Sequence, residues 1–259
     1  IMFDTHMHTI PFSTDSGMVF SDLLKVQKEK GLDIILTEHI DLAYGDPSGF
    51  YFDPDTYFQA LTPYRNDHLL LGVEIGMTAD TNAKNSEIVR SHPFDMVIGS
   101  IHFMRGQDIY YPEFFALFKD KEEVFGEYLD TMAEMIETFD DFDTLGHIDY
   151  IGRVAPYEDP LLYYEEFPEK IDRILQLLIQ KDKCIEINTR QFAKPEAIDA
   201  LRTIYRRYHA LGGRFVTIGS DAHYPEVVGA YLAEAYAFAE ECGLTPVYFK
   251  ERKRILVQL

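Results

Sequence analysis

Seven short apolar runs, at residues 2–5, 33–37, 69–75, 96–101, 144–146, 184–187 and 215–218, are separated by longer stretches of helical periodicity. This alternation restricts the fold more than any other feature. A short apolar run reads as a buried strand, and strands alternating with helices pair in parallel because each crossover needs a helix. Ile171, Ile174, Leu175, Leu178 and Ile179 recur at the spacing of one helix face. Ile198, Leu201, Ile204, Tyr205 and Tyr208 do the same, with Gly212 and Gly213 ending that helix. Phe125, Tyr128, Met132, Ile136 and Phe139 mark a third helix; Leu23 and Leu24 begin a fourth, which Gly31 closes. About seven β/α units in 259 residues suit a TIM-like α/β barrel. No linker or low-complexity tract divides the chain, so residues 1–259 read as one domain. The tail "VYFKERKRILVQL" predicts two short strands around a charged turn.

Composition narrows the function classes. A hydrophobic fraction of 46%, with 19 Phe and 17 Tyr, supplies a large core. No stretch approaches the ~20 apolar residues of a membrane span. The amino-terminal segment carries no charged leader or apolar signal core, and Cys184 and Cys242 lack metal or redox spacing. A cytoplasmic enzyme with reduced, buried thiols is expected. The net charge of −20 opposes binding of long polyanions such as DNA. A small anionic substrate remains possible where local cations overcome that field. No membrane or nucleic-acid partner is expected, and the sequence leaves the oligomeric state open.

The histidines are not scattered evenly. His6 and His8 sit in "DTHMHT" after the first run, His39 in "TEHID" after the second, and His102 in "GSIHF" after the fourth. His147 follows the fifth in "GHIDYIGR", and Asp221 and His223 follow the seventh in "GSDAH". Glu74 lies inside the apolar run "LLLGVEIG", where a lone carboxylate is expensive to bury. The other three histidines, His68, His92 and His209, fall at a strand start, in a loop before a strand and on a helix. In a β/α barrel the carboxyl ends of the strands converge on one face, where active sites are built. Imidazole and carboxylate ligands without thiolates suit Zn, Fe or Mn. With Asp15 from "STDS" there are nine candidate ligands. At about three to five ligands per ion they imply two or three divalent ions, an arrangement that favours hydrolysis. Arg153 and Arg190, near the same strand ends, are natural clamps for phosphate oxygens.

The ordered set "DTHMHT", "TEHID", "GVEIG", "GSIHF", "GHIDYIGR", "EINTR" and "GSDAH" resembles the PHP (polymerase and histidinol phosphatase) family over nearly the whole chain. It looks closest to that family's histidinol-phosphate phosphatases, through "GHIDYIGR", "EINTR" and "GSDAHYPEVVG". The resemblance implies a distorted (β/α)7 barrel with a trinuclear site. It implies that His6, His8, Glu74 and Asp221 bind one metal, and that Glu74 bridges to a second completed by His102 and His147. A third falls to Asp15, His39 and His223; relatives vary at the Asp15 position, some using His. Arg153 and Arg190 match positions expected to bind substrate phosphate. The implied reaction is hydrolysis of a small phosphate monoester, L-histidinol phosphate, by in-line attack of a metal-bridging hydroxide. Glu74, Asp221 and His223 are the catalytic candidates, with Asp221, His223 or a metal-bound water protonating the leaving alkoxide. Residues for the substrate's imidazole and amine are expected in segments 41–58 and 103–118. The alternatives are another PHP phosphoesterase, an amidohydrolase cleaving C–N bonds, and a non-catalytic metal-binding protein. Against the amidohydrolase stands the lack of a strand-end lysine; against the last stands the completeness of the nine positions.

Overall fold

The computed structural model describes residues 1–45 and 50–259. Its nine-stranded sheet is built from β1 (Phe3–Asp4), β2 (Asp33–Ile40), β3 (Leu69–Gly76), β4 (Val97–Ser100), β7 (Thr144–Leu145), β8 (Cys184–Asn188), β9 (Phe215–Gly219), β10 (Thr245–Lys250) and β11 (Lys253–Leu256), neighbours in that order. A separate hairpin, β5 (Phe103–Met104) with β6 (Gln107–Asp108), follows β4. All neighbours in the large sheet are parallel except β10 and β11. Past β1 and β9 the chain pairs again: Thr5 N–H donates to Ile218 O (3.0 Å), Asp221 N–H to His6 O (2.8 Å) and His8 N–H to Ala222 O (2.9 Å). These bonds tie the chain beyond β1 to β9 and to the residues that follow it.

Helices α1 (Phe20–Lys30), α2 (Pro54–Leu61), α3 (Asn82–Arg90), α4 (Pro112–Phe115), α5 (Lys121–Thr138), α6 (Ile151–Val154), α7 (Pro168–Gln180), α8 (Pro195–Ala210) and α9 (Leu232–Glu241) fill the connections. α7 and α8 bury the faces read from sequence, including Ile171, Ile174, Leu175 and Leu178 on one and Leu201, Ile204, Tyr205 and Tyr208 on the other. α1 begins at Phe20, three residues before Leu23, because Val19 and Asp22 form its amino-terminal turn. It ends at Gly31, whose left-handed φ of 63° lets its N–H reach Gln27 O. Among the described residues no helix is long and apolar enough to cross a membrane.

Strand alternation divides the core and places the site. Leu69, Leu71, Val73 and Ile75 of β3 pack outward with the helices, whereas Leu70 joins an inner cluster with Ile35, Met96, Ile98, Cys184, Val247 and Phe249. Side chains two apart share a face. The inner face of β3 therefore runs from Leu70 through Gly72 to Glu74. Ile35 leads in the same way to His39, Ile98 to Ser100 and His102, and Cys184 to Glu186 and Asn188. The interior is apolar at the amino ends, where the β10–β11 hairpin covers it, and polar at the carboxyl ends.

Candidate active site

All nine residues proposed as ligands lie at this polar end. His39 is inside β2 rather than just past it, because the strand continues through the polar residues Thr37, Glu38 and His39 to Ile40. The pairing of β2 with β3 sets His39 directly beside Glu74.

Glu74 is completely buried and sits at the centre. Its Oε1 lies 3.1 Å from His6 Nε2, 3.3 Å from His8 Nε2 and 3.2 Å from His39 Nδ1. Its Oε2 faces the other way, 3.3 Å from His102 Nε2 and 3.0 Å from His147 Nε2, and accepts from Ser100 Oγ (2.7 Å). One carboxylate thus serves two histidine groups. Asp221 Oδ1 lies 3.3 Å from His6 Nε2 and 3.2 Å from His8 Nε2, while its Oδ2 accepts from Arg153 Nη1 at 2.9 Å. Asp221 takes a left-handed φ of 57° as the chain leaves β9. Nearer the surface, Asp15 Oδ2 sits 3.2 Å from His39 Nε2 and 3.0 Å from His223 Nε2.

Among the described residues, four groupings of side chains present possible ligand atoms close together: His6–His8–Glu74–Asp221, Glu74–His102–His147, His8–His39–His223 and His39–Asp41–His102. The first two reproduce sets expected from sequence. In the remaining set Asp15 contacts both His39 and His223, with His8 stacked on His39 at 3.9 Å between ring centres. Ligands about 2.1 Å from a tetrahedral ion lie roughly 3.4 Å from one another. The nitrogen–oxygen separations of 3.0–3.3 Å around Glu74 match that spacing. His8 Nε2, His39 Nδ1 and His147 Nδ1 are buried without a hydrogen-bond partner among the described residues. Of these, His8 Nε2 and His39 Nδ1 face Glu74 Oε1, and unpartnered imidazole nitrogens beside a carboxylate, in a site free of thiolates, fit divalent ions.

Burial opposes charge on His6, His8 and Glu74; charged neighbours reverse that for His6 and Glu74 and reinforce it for His8. Burial alone lowers the His6 pKa, but Asp221, Glu186 and Glu74 overcome it and hold the ring well above its usual value. His8 is pushed down to about 4 by burial and by the charges of His39 and His223. Burial raises the Glu74 carboxyl, yet His6 and His102 hold it well below the ordinary range.

Several residues that matter here escaped the sequence reading. Glu186 Oε2 lies 2.6 Å from His6 Nδ1, and its Oε1 accepts the His147 N–H (2.9 Å). Asp41 places both carboxylate oxygens 3.1 Å from His102 Nδ1. Such outer carboxylates fix the ring so that the opposite nitrogen faces the centre. Asp41 has room only because residue 76 is glycine: a Cβ there would lie 1.5 Å from Asp41 Oδ1. Gly76→Ala is expected to displace Asp41 and destabilise the fold by about 1–3 kcal/mol, measurable as a lowered Tm.

The centre opens into a cavity of about 700 Å³. Arg153 and Arg190 line it, and no lysine or further arginine does so among the described residues. The Arg153 side chain is largely buried, whereas that of Arg190 is 42% exposed and donates to Asp221 O (3.0 Å). From the segments expected to hold the rest of a substrate come Tyr44, Phe50, Asp108, Tyr110 and Tyr111. Residues 46–49 of the first segment lie outside the described residues.

Comparison with known proteins settles the lineage. The PHP domain profile matches residues 4–190. The chain belongs to the PHP domain family. Over 252 residues, 97% of the chain and 98% of the relative, this PHP protein is 44% identical to a probable histidinol-phosphatase of Clostridium acetobutylicum. It is 31% identical to a histidinol-phosphatase of Lactococcus lactis over 85% of the chain and 83% of that protein. The crystal structure of a histidinol phosphate phosphatase from Lactococcus lactis, complexed with zinc, L-histidinol and phosphate, superposes with a TM-score of 0.91 at 29% identity, covering 98% of each chain. The fold is therefore shared along nearly the whole chain.

Proposed function

We propose that this chain is a metal-dependent phosphatase converting L-histidinol phosphate to L-histidinol and phosphate. The observation that carries the reading is Glu74, divided between two histidine groups beside two arginines in one cavity. The activity named for the relatives of 44% and 31% identity supports the substrate. The zinc, L-histidinol and phosphate in the Lactococcus structure support it too. The single sheet running from β1 to β11 supports treating residues 1–259 as one domain, and the buried thiols of Cys184 and Cys242, free of any disulfide, support a reducing, cytoplasmic location.

In this reading His6, His8, Glu74 and Asp221 hold one ion, Glu74, His102 and His147 a second, and Asp15, His39 and His223 a third. Bound there, divalent ions supply a water-derived nucleophile at neutral pH and offset the charge of the phosphoryl oxygens. The chain provides the rest. Arg153 and Arg190 bind phosphate oxygens and give a protein of net charge −20 the local cations its anionic substrate needs. Asp221 Oδ2 holds the Arg153 guanidinium in place before substrate arrives. Asp221 and His223 line the same cavity, and one of them or a bound water would protonate the leaving alkoxide; Asp221, raised by burial but held well below the usual carboxylate range by His6 and Arg153, is the least suited of the three. Glu186 orients His6, so Glu186→Gln is expected to lower metal affinity about 10- to 100-fold, measured by titration of the stripped protein.

A lysine bridging two metals, as in many amidohydrolases, has no counterpart in the described cavity lining. A phosphate-release screen of small monoesters with added Zn or Mn tests the substrate. L-Histidinol phosphate should give the highest kcat/KM. Equal rates for unrelated monoesters would overturn the specific assignment and leave the phosphatase class standing.

A further inference from the structure

The cavity lining holds four carboxylates besides the histidines and arginines, and three are engaged by the polar centre. Asp15 faces His39 and His223, Glu74 faces the inner histidines, and Asp221 faces His6, His8 and Arg153. Asp108 is the exception: it makes no ion pair among the described residues. It lies on β6 opposite Phe103, one residue past His102, and the next residue, Ile109, donates its N–H to His102 O (3.0 Å). The backbone thus ties Asp108 to the metal-facing end of β4.

The carboxylate is held rigidly by neutral donors. Oδ1 accepts the Tyr110 N–H (2.9 Å) and Oδ2 accepts from Tyr44 Oη. Around it stand the rings of Tyr44, Phe50, Tyr110, Tyr111 and Tyr150, with Tyr44 packed 4.4 Å from both Phe50 and Phe103. Tyr110 and Tyr111 both line the cavity and are 60% and 54% exposed. A fixed anion without a cation, walled by aromatic rings, is complementary to an organic cation: the carboxylate takes a charged N–H donor and the rings take an aromatic or cationic group. Under the phosphatase reading above, the substrate carries one such group, a protonated amine on the carbon next to the ester methylene, with its imidazole ring at the far end.

Resting on that reading, we propose that Asp108 binds the substrate's ammonium group, with Tyr44 fixing the carboxylate for it. Asp108 then selects amine-bearing phosphate monoesters, while the metals and arginines act on the phosphate common to all of them.

The test compares L-histidinol phosphate with its des-amino analogue, 3-(imidazol-4-yl)propyl phosphate, using metal-loaded enzyme. Asp108→Asn should lower the ratio of the two kcat/KM values about 10- to 100-fold, the worth of one charge-assisted hydrogen bond. Tyr44→Phe should lower the same ratio by a smaller factor. Calorimetry should show weaker L-histidinol binding by the Asp108→Asn protein. A general disturbance of the fold slows both esters and leaves the ratio where it was, so a ratio within about twofold of the unsubstituted enzyme would overturn the proposal. Release of phosphate from neither ester by the unsubstituted enzyme would overturn the phosphatase reading, and this inference with it.

Discussion

Glu74→Gln is expected to reduce phosphate release about 1,000-fold or more, equivalent to roughly 4 kcal/mol in the barrier. The substitution keeps the side chain's size, so the buried site is neither emptied nor overfilled. What changes is charge and donor character. Oε1 faces His6, His8 and His39, and Oε2 faces His102 and His147, so no other side chain among those described belongs to both histidine groups in this way. A glutamine offers one neutral oxygen and turns an N–H₂ toward imidazole nitrogens or a cation. Metal content should fall together with activity, because two positions lose a shared anionic ligand. Elemental analysis beside a phosphate-release assay checks this. A full metal complement with undiminished turnover in the variant would contradict the role given to Glu74.

Arg153→Met should cost about 100- to 1,000-fold in kcat/KM, the range seen when a preorganised donor to developing negative charge is removed. Methionine retains much of the packing of the arginine stem, so the loss isolates the guanidinium. Asp221 would lose its 2.9 Å partner but keep His6 and His8, and bound metal should remain. Arg153→Lys should recover little, since a compact ammonium does not reproduce the planar fork that grips a phosphate. Steady-state kinetics on protein of verified metal content separates this from a metal-binding defect.

Much of this architecture is legible in the sequence because the parallel sheet brings the carboxyl ends of successive strands to one side. A polar residue at the carboxyl end of an apolar run sufficed to mark His6, His8, His39, His102, His147, Asp221 and His223, and a lone carboxylate within such a run marked Glu74. The same criterion applied to "CIEIN" marks Glu186, as fully buried in β8 as Glu74 is in β3, yet its partner His6 lies 180 residues away and only the fold reveals the contact. Asp41 was hidden by strand length: β2 runs to Ile40, so Asp41 rather than His39 is the first residue beyond it. α3 buries only Asn85, Ile88 and Val89, too few large apolar groups for a periodic signal, and α9 is rich in alanine. The β5–β6 hairpin has two residues per strand, too short for alternation to register, and it carries Asp108.

The central claim is that this cluster of histidines and carboxylates hydrolyses L-histidinol phosphate through bound divalent ions. Its most direct test is phosphate release from that ester by protein stripped with a chelator and then reloaded with Zn or Mn. The account predicts no turnover in the stripped protein and recovery on reloading as two to three ions bind per chain. Undiminished hydrolysis by the stripped protein, or none after full reloading, would contradict it.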